Sequence, residues 1–240
     1  MNAVVEKGKS QAIIYDANIM DGVDAAYFSV DYWKNQNAIA GEAVGRGSAW
    51  FLDAPFGAVV LRKFLRGGWV AKLSRQSYFY SGVERSRPFR EFRMLLNLIK
   101  LGLPVPRPVA AFCEHHGFVS SGALITARIP NAITLADLII GNKVDSDVLG
   151  TLCGRIGVCI RQFHDAGVWH ADLNARNILL DDQLRVFLID FDRAKFTPDN
   201  AVNGEGNLSR LKRSLAKFWP VDGVPDMQAS WTLLEAGYHD

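Results

Sequence analysis

The sequence predicts an α+β fold in two lobes, a β-rich first lobe with one helix over residues 1–127 and a mainly helical second lobe over residues 128–240. Short β-prone runs separated by Pro and Gly fill the first half. After Pro130 the apolar residues recur at helical spacing. The 240 residues, 49% hydrophobic and 22% charged, have the composition of an ordinary globular protein and are enough for one large domain or two small lobes.

Ile13 to Val30 alternate loosely, and Asp31-Tyr32-Trp33-Lys34 reads as a cap opening a short helix. Trp50-Phe51-Leu52 and Ala58-Val59-Val60-Leu61 flank the Pro and Gly of Asp53-Ala54-Pro55-Phe56-Gly57, which predicts a β-hairpin. A helix fits Pro88 to Leu101, with Phe92, Leu95, Leu96 and Ile99 on one stripe and Gly102 as its stop. Leu103-Pro104-Val105-Pro106-Arg107-Pro108 is an extended connector, because each proline disfavours helix in the residue before it. Phe118-Val119 and Ala123 to Thr126 form a second hairpin.

In the second lobe Thr134 caps a short helix through Ile140. Asp147 caps a longer one that carries Val148, Leu149, Leu152, Ile156, Cys159, Ile160 and Phe163 on its apolar side up to Gly167. Val168-Trp169, Ile178 to Leu180 and Val186 to Ile189 are short strands, the last two joined at Asp181-Asp182-Gln183. The final element is a basic amphipathic helix from Asn207 to Trp219.

The three cysteines, with no CxxC pair, provide neither a disulfide framework nor a zinc knuckle, which suits a reducing, cytoplasmic compartment. No apolar run approaches the roughly 18–20 residues of a bilayer span, and the N-terminus lacks the plan of a signal peptide. A chain that neither spans a membrane nor is exported by that route is expected. Its 27 basic and 25 acidic residues nearly cancel, yet Arg62 to Arg107 holds eleven Lys/Arg against two acids. That excess fits phosphate groups, an acidic lipid surface or nucleic acid, or a solvated basic face.

The chemistry is concentrated in His170-Ala171-Asp172-Leu173-Asn174-Ala175-Arg176-Asn177, followed after a hairpin by Asp190-Phe191-Asp192. These runs resemble the kinase catalytic loop H-R-D-L-x-x-x-N and the D-F-G tripeptide, so the two lobes read as a protein-kinase-like fold. Phosphoryl transfer from ATP needs a carboxylate at the acceptor hydroxyl, the role of Asp172. It also needs oxygen ligands for Mg²⁺, the role of Asn177 and Asp190.

Gly45-Arg46-Gly47-Ser48-Ala49-Trp50 matches two glycines of a phosphate-covering loop, Gly45 and Gly47. At the position of the strand lysine stands Arg62, with Lys63 beside it; either is a candidate for the ATP phosphates, and Arg62 is favoured. Glu91 is the natural helix partner. Three departures narrow the class: Ala171 replaces the loop arginine, Asp192 replaces the D-F-G glycine, and a short tail carries no A-P-E motif. A small or lipid-linked acceptor fits better than a protein.

Several blocks together resemble the 3-deoxy-D-manno-octulosonic acid (Kdo) kinase family. They are Gly45-Arg46-Gly47 leading to Trp50-Phe51, Val60-Leu61-Arg62 leading to Arg66-Gly67-Gly68, Gly102-Leu103-Pro104-Val105-Pro106, His170 to Leu180, Ile189-Asp190-Phe191-Asp192, and Asn207 to Ser214. The resemblance implies ATP- and Mg²⁺-dependent phosphorylation of a Kdo hydroxyl, at the 4-position, on Kdo-lipid A of Gram-negative lipopolysaccharide. It implies no nucleic-acid partner and a peripheral site at the cytoplasmic face of the inner membrane. Trp69, Tyr78, Phe79 and Tyr80, among the basic residues, suit that anionic surface or a core. Arg210 and Arg213, i and i+3 on the last helix, suit the Kdo carboxylate. Ala175-Arg176-Asn177 also resembles a tyrosine-kinase loop in which Arg176 positions the acceptor, so a protein kinase stands as an alternative. A nucleotide-binding pseudokinase or scaffold is another.

Overall fold

The β-prone runs of the first half become seven strands of one antiparallel sheet. The computed structural model describes residues 1–43, 49–64, 83–116, 119–141, 145–197, 202–220 and 226–240. It divides into two compact units, residues 1–97 with 106–128, and residues 98–105 with 129–240.

In the first unit β1 (Ala3–Lys7), β2 (Gln11–Asp16), β3 (Ile39–Ala43), β4 (Ala49–Ala54), β5 (Gly57–Phe64), β6 (Pro108–His116) and β7 (Val119–Ala127) run in the order β1-β2-β6-β7-β5-β4-β3. The β4–β5 hairpin turns where Pro55 and Gly57 predicted it, and Gly57 takes φ +121°, a backbone open mainly to glycine. The short helix α1 (Val30–Asn35) is seated by Trp33, whose indole N–H donates to the Tyr27 carbonyl at 2.7 Å among the rings of Tyr27, Tyr32 and Phe56. Packing, rather than a cap, sets its start. Asp31 lies in the first turn, and Ser29 occupies the N-cap without a side-chain bond.

Two further expectations change. β1, β2, β3 and β6 are additional strands. The second hairpin pairs β6 with β7, so the Ser120-Ser121-Gly122 stretch is continuous strand, not a turn. A Cβ at Gly122 would overlap Pro88 and lie 2.7 Å from the Phe112 carbonyl, so this glycine admits a neighbouring chain. Pro88 belongs to α2 (Arg87–Lys100), which ends at Gly102 with φ +74°, as predicted. The buried Asp16 carboxylate ties the unit's start to Arg107 at 2.6 Å and accepts the N–H groups of Asn2 and Asn18. Burial alone would raise its pKa; Arg107 and the two amides outweigh that and hold it below the usual range.

The second unit is built on α3 (Leu135–Gly141), α4 (Ser146–Asp165), α5 (Gly204–Leu215) and α6 (Met227–His239). It also holds the short strands β8 (Ile133–Thr134), β9 (Val168–Trp169), β10 (Ile178–Leu180), β11 (Val186–Leu188) and β12 (Lys195–Phe196). Thr134 caps α3 by accepting the Asp137 N–H at 3.0 Å. The cap of α4 is Asp145 and not Asp147, whose own N–H is the donor to it. Val148 lies off the buried stripe of that helix and is exposed. The basic helix is shifted toward the N-terminus because Asn203 caps it, accepting the Gly206 N–H at 2.8 Å.

That helix is not the last. α6 buries Ser230, Trp231, Leu234 and Tyr238, and its backbone meets that of α4 at glycines. A Cβ at Gly157 would overlap the Leu234 carbonyl and lie 2.7 Å from the Tyr238 N, while one at Gly237 would overlap Gly154. Such close approach leaves no room for a methyl group. Gly157→Ala is therefore expected to cost about 1–3 kcal/mol, read as a lower urea midpoint.

Candidate active site

The loop between β9 and β10 is organised around His170, which is 2% exposed. Its Nδ1 accepts the Asp172 N–H at 3.2 Å, so the proton of the neutral ring is on Nε2, which donates to the Ile189 carbonyl at 2.9 Å. Burial pushes the imidazole below its ordinary pKa, which keeps this tautomer neutral near pH 7. One ring thus joins the backbone of Asp172 to the residue before Asp190.

Asn177 closes the same loop. Its Nδ2 donates to the Asp172 carbonyl at 2.9 Å, and its own carbonyl accepts the Ile189 N–H at 3.0 Å. The structure therefore ties Asp172 and Asn177 to each other and both, through His170 and the Asn177 carbonyl, to Ile189, the residue before Asp190. Asp190 has φ +68°, a left-handed conformation that carboxylate and amide residues tolerate better than most. Asp192 is not left-handed, so the missing D-F-G glycine leaves no strained backbone at that position. Phe191 is buried against Phe163, with centroids 5.7 Å apart, and against the edge of His170.

Helix α5 supports the loop from below. The Asn207 amide clamps the His170 main chain, with Oδ1 accepting its N–H at 3.3 Å and Nδ2 donating to its carbonyl at 2.8 Å. Ser214 Oγ accepts the Ala175 N–H at 3.1 Å. Sequence reasoning took Asn207 and Ser214 only as the ends of a family block and missed His164 and Tyr238. The available signal was a polar residue on an apolar stripe, Asn207 beside Leu208 and Leu211, and His164 one turn after Ile160.

The two predicted acceptor arginines part company. Arg210 Nη1 pairs with Asp172 Oδ1 at 3.0 Å, whereas Arg213 bonds Ser209 on its own helix. Arg176 lies over the Phe218 ring, its guanidinium carbon 5.0 Å from the centroid. Arg210 and Asp172 are each about half exposed, and such pairs are worth about 0–1 kcal/mol, so another anion can displace the carboxylate.

In the first unit Arg62 of β5 pairs with Glu91 of α2, the partnership the sequence predicted. Glu91 is 2% exposed and faces inward. Arg62 also stacks on Phe64, 4.7 Å from the ring centroid. Lys63 follows it on β5 and belongs by alternation to the opposite face. In the basic segment Arg93 and Arg107 are engaged as well, by Glu84 and Asp16. Gly45, Gly47, Arg66-Gly67-Gly68, Trp69, Tyr78, Phe79 and Tyr80 lie outside the described residues.

The model of the lipopolysaccharide kinase (Kdo/WaaP) family matches residues 30–238 of this chain. The 3-deoxy-D-manno-octulosonic acid kinase of Stenotrophomonas maltophilia (strain R551-3) is 42% identical over 229 residues, covering 95% of this chain and 89% of that protein. The kinases of the same name from Xanthomonas euvesicatoria pv. vesicatoria (strain 85-10) and Xanthomonas campestris pv. campestris (strain B100) are 41% and 42% identical over the same shares.

His164 shares the depressed pKa of His170, burial again being the cause. A histidine held neutral in the fold but free to protonate when unfolded makes the unfolded state the better proton binder. Stability is therefore full above about pH 6.5 and falls as pH drops below it. The depressed carboxylates Asp16 and Asp181 act only below their unfolded value of 3.8. Urea unfolding is expected to show lower stability at pH 5.5 than at pH 7.5, with a smaller difference in His164→Asn.

Proposed function

The chain belongs to the lipopolysaccharide kinase (Kdo/WaaP) family and is a phosphotransferase; from that premise we propose that it moves the γ-phosphoryl group of ATP to the 4-hydroxyl of Kdo on Kdo-lipid A, in inner-core assembly. The observation that carries the reading is the bonding of His170 and Asn177, which links the backbone of Asp172 to Ile189, the residue before Asp190. The Asp172 carboxylate takes the hydroxyl proton as the sugar oxygen bonds to phosphorus. The P–O bond to ADP breaks, and its electrons leave with ADP.

Asn177 and Asp190 fit Mg²⁺. The Asn177 Nδ2 is committed to the Asp172 carbonyl, which leaves Oδ1 as the donor, and hard Mg²⁺ takes oxygen from one or two side chains plus phosphates and water. When bound, the ion neutralises charge on the ATP phosphates. Arg62, steadied by Glu91, supplies the guanidinium for those phosphates, with Lys63, on the other face of β5, as the alternative contact and Gly45 and Gly47 in the covering loop. Arg210, Arg213 and Arg176 serve the acceptor, Arg210 exchanging Asp172 for the Kdo carboxylate. Among the described residues no helix is long and apolar enough to cross a membrane. Attachment to the cytoplasmic face of the inner membrane is then peripheral, through the basic segment and its aromatics.

Incubation with ATP, Mg²⁺ and Kdo-lipid A should add one phosphate to the acceptor. Asp172→Ala should lower kcat by about 10²–10⁴. Parent-like transfer by that variant, or phosphate appearing on protein alone, would sink the reading. A double Arg210→Gln, Arg213→Gln variant is expected to raise the acceptor KM and leave that of ATP unchanged. Glu91→Gln should do the reverse.

A further inference from the structure

The His170 clamp does not end at Asn207. Because the backbone N–H of His170 must meet an oxygen and its carbonyl must meet an amine, the orientation of the Asn207 amide is determined. Its Oδ1 also faces His164 Nε2 at 3.1 Å, so that nitrogen carries the proton. His164 Nδ1 is then an acceptor, and the Tyr238 hydroxyl, at 2.8 Å, donates to it. The line runs from α6 through α4 and α5 to the loop, and every donor meets an acceptor. Its members are all buried, Tyr238 at 9%, Asn207 at 2% and His164 at 7%.

Two glycine contacts place Tyr238 at the end of this line. Gly157 lets α6 approach α4 closely at Tyr238 itself. A Cβ at Gly204, in the first turn of α5, would overlap the Tyr238 hydroxyl and lie 3.1 Å from His164 Nδ1, so the space around their bond is closed. Water has little room to replace the phenol. Loss of the hydroxyl therefore leaves a buried imidazole nitrogen without a partner, and the ring is free to turn toward another one.

We propose that Tyr238, at the end of the chain's last helix, is a positioning residue for Asp172, acting through His164, Asn207 and His170. The hydroxyl holds the His164 tautomer, that tautomer holds the Asn207 amide, and the amide holds the His170 peptide to which the Asp172 N–H is tied. The catalytic loop is thus set by the docking of a helix some sixty residues further along the chain.

Tyr238→Phe keeps the ring and its packing and removes only the donor. Amide hydrogen exchange at Asp172 should quicken about threefold or more, while exchange at Ile178 in β10 stays as in the parent. Exchange at Asp172 equal to the parent would overturn the proposal. In the transfer assay the variant should lose about three- to tenfold in kcat, with both KM values unchanged. A parent-like kcat, or a change confined to KM, would also overturn it. The assay rests on the acceptor proposed above, but the exchange measurement needs no acceptor. A parent protein that transfers nothing to Kdo-lipid A counts against that substrate, and exchange at Asp172 then decides the role of Tyr238.

Discussion

His170 uses both ring nitrogens on backbone groups, one accepting from Asp172 and the other donating to Ile189, and much of the second unit follows from that division. A protonated ring could not accept from the Asp172 amide, so the bridge needs a neutral imidazole. Burial among apolar neighbours, with Phe191 against the ring, supplies that condition. The hydrophobic core of the second unit therefore sets a protonation state as well as a shape. Asp172 and Asp190 come from different loops, and this ring keeps them in one register.

The charged contacts fall into two kinds with different consequences. Glu91 and Asp16 are buried carboxylates, each paired with an arginine, and removing one partner of such a pair typically costs about 3–5 kcal/mol. They join β5 to α2 and the end of β2 to Arg107. Arg210 and Asp172 are half exposed, and their pairing is cheap to exchange. Such a pair orders both side chains and still leaves Arg210 open to another anion.

Much of the fold was legible because its signals are local. The Pro-Gly turn of β4–β5, the Gly102 stop and the Thr134 cap each depend on a few adjacent residues. The readings that failed depended on distant partners. Gly122 looked like a turn residue because the proximity of Pro88 and Phe112 is invisible in the chain order. α1 begins where Trp33 can be buried, not where Asp31 could cap. Of the candidate site, the spacing from His170 to Asp190 was readable, as was the pairing of Arg62 with Glu91. Arg210 was assigned an acceptor anion, and the structure shows its present partner to be Asp172.

Residue types alone specify the groups on hand: a carboxylate at 172, oxygen donors at 177 and 190, a cation at 62 with a carboxylate at 91, and guanidiniums at 176, 210 and 213. Those are properties of side-chain chemistry and short spacing, and no folding can supply a residue type that is missing. Which of these groups meet, and whether the buried histidines are neutral, follows from the packing of distant segments. Hydrogen bonds reach only about 3 Å, and burial depends on the whole core, so the alignment of Tyr238, His164, Asn207 and His170 exists only once α4, α5 and α6 have packed.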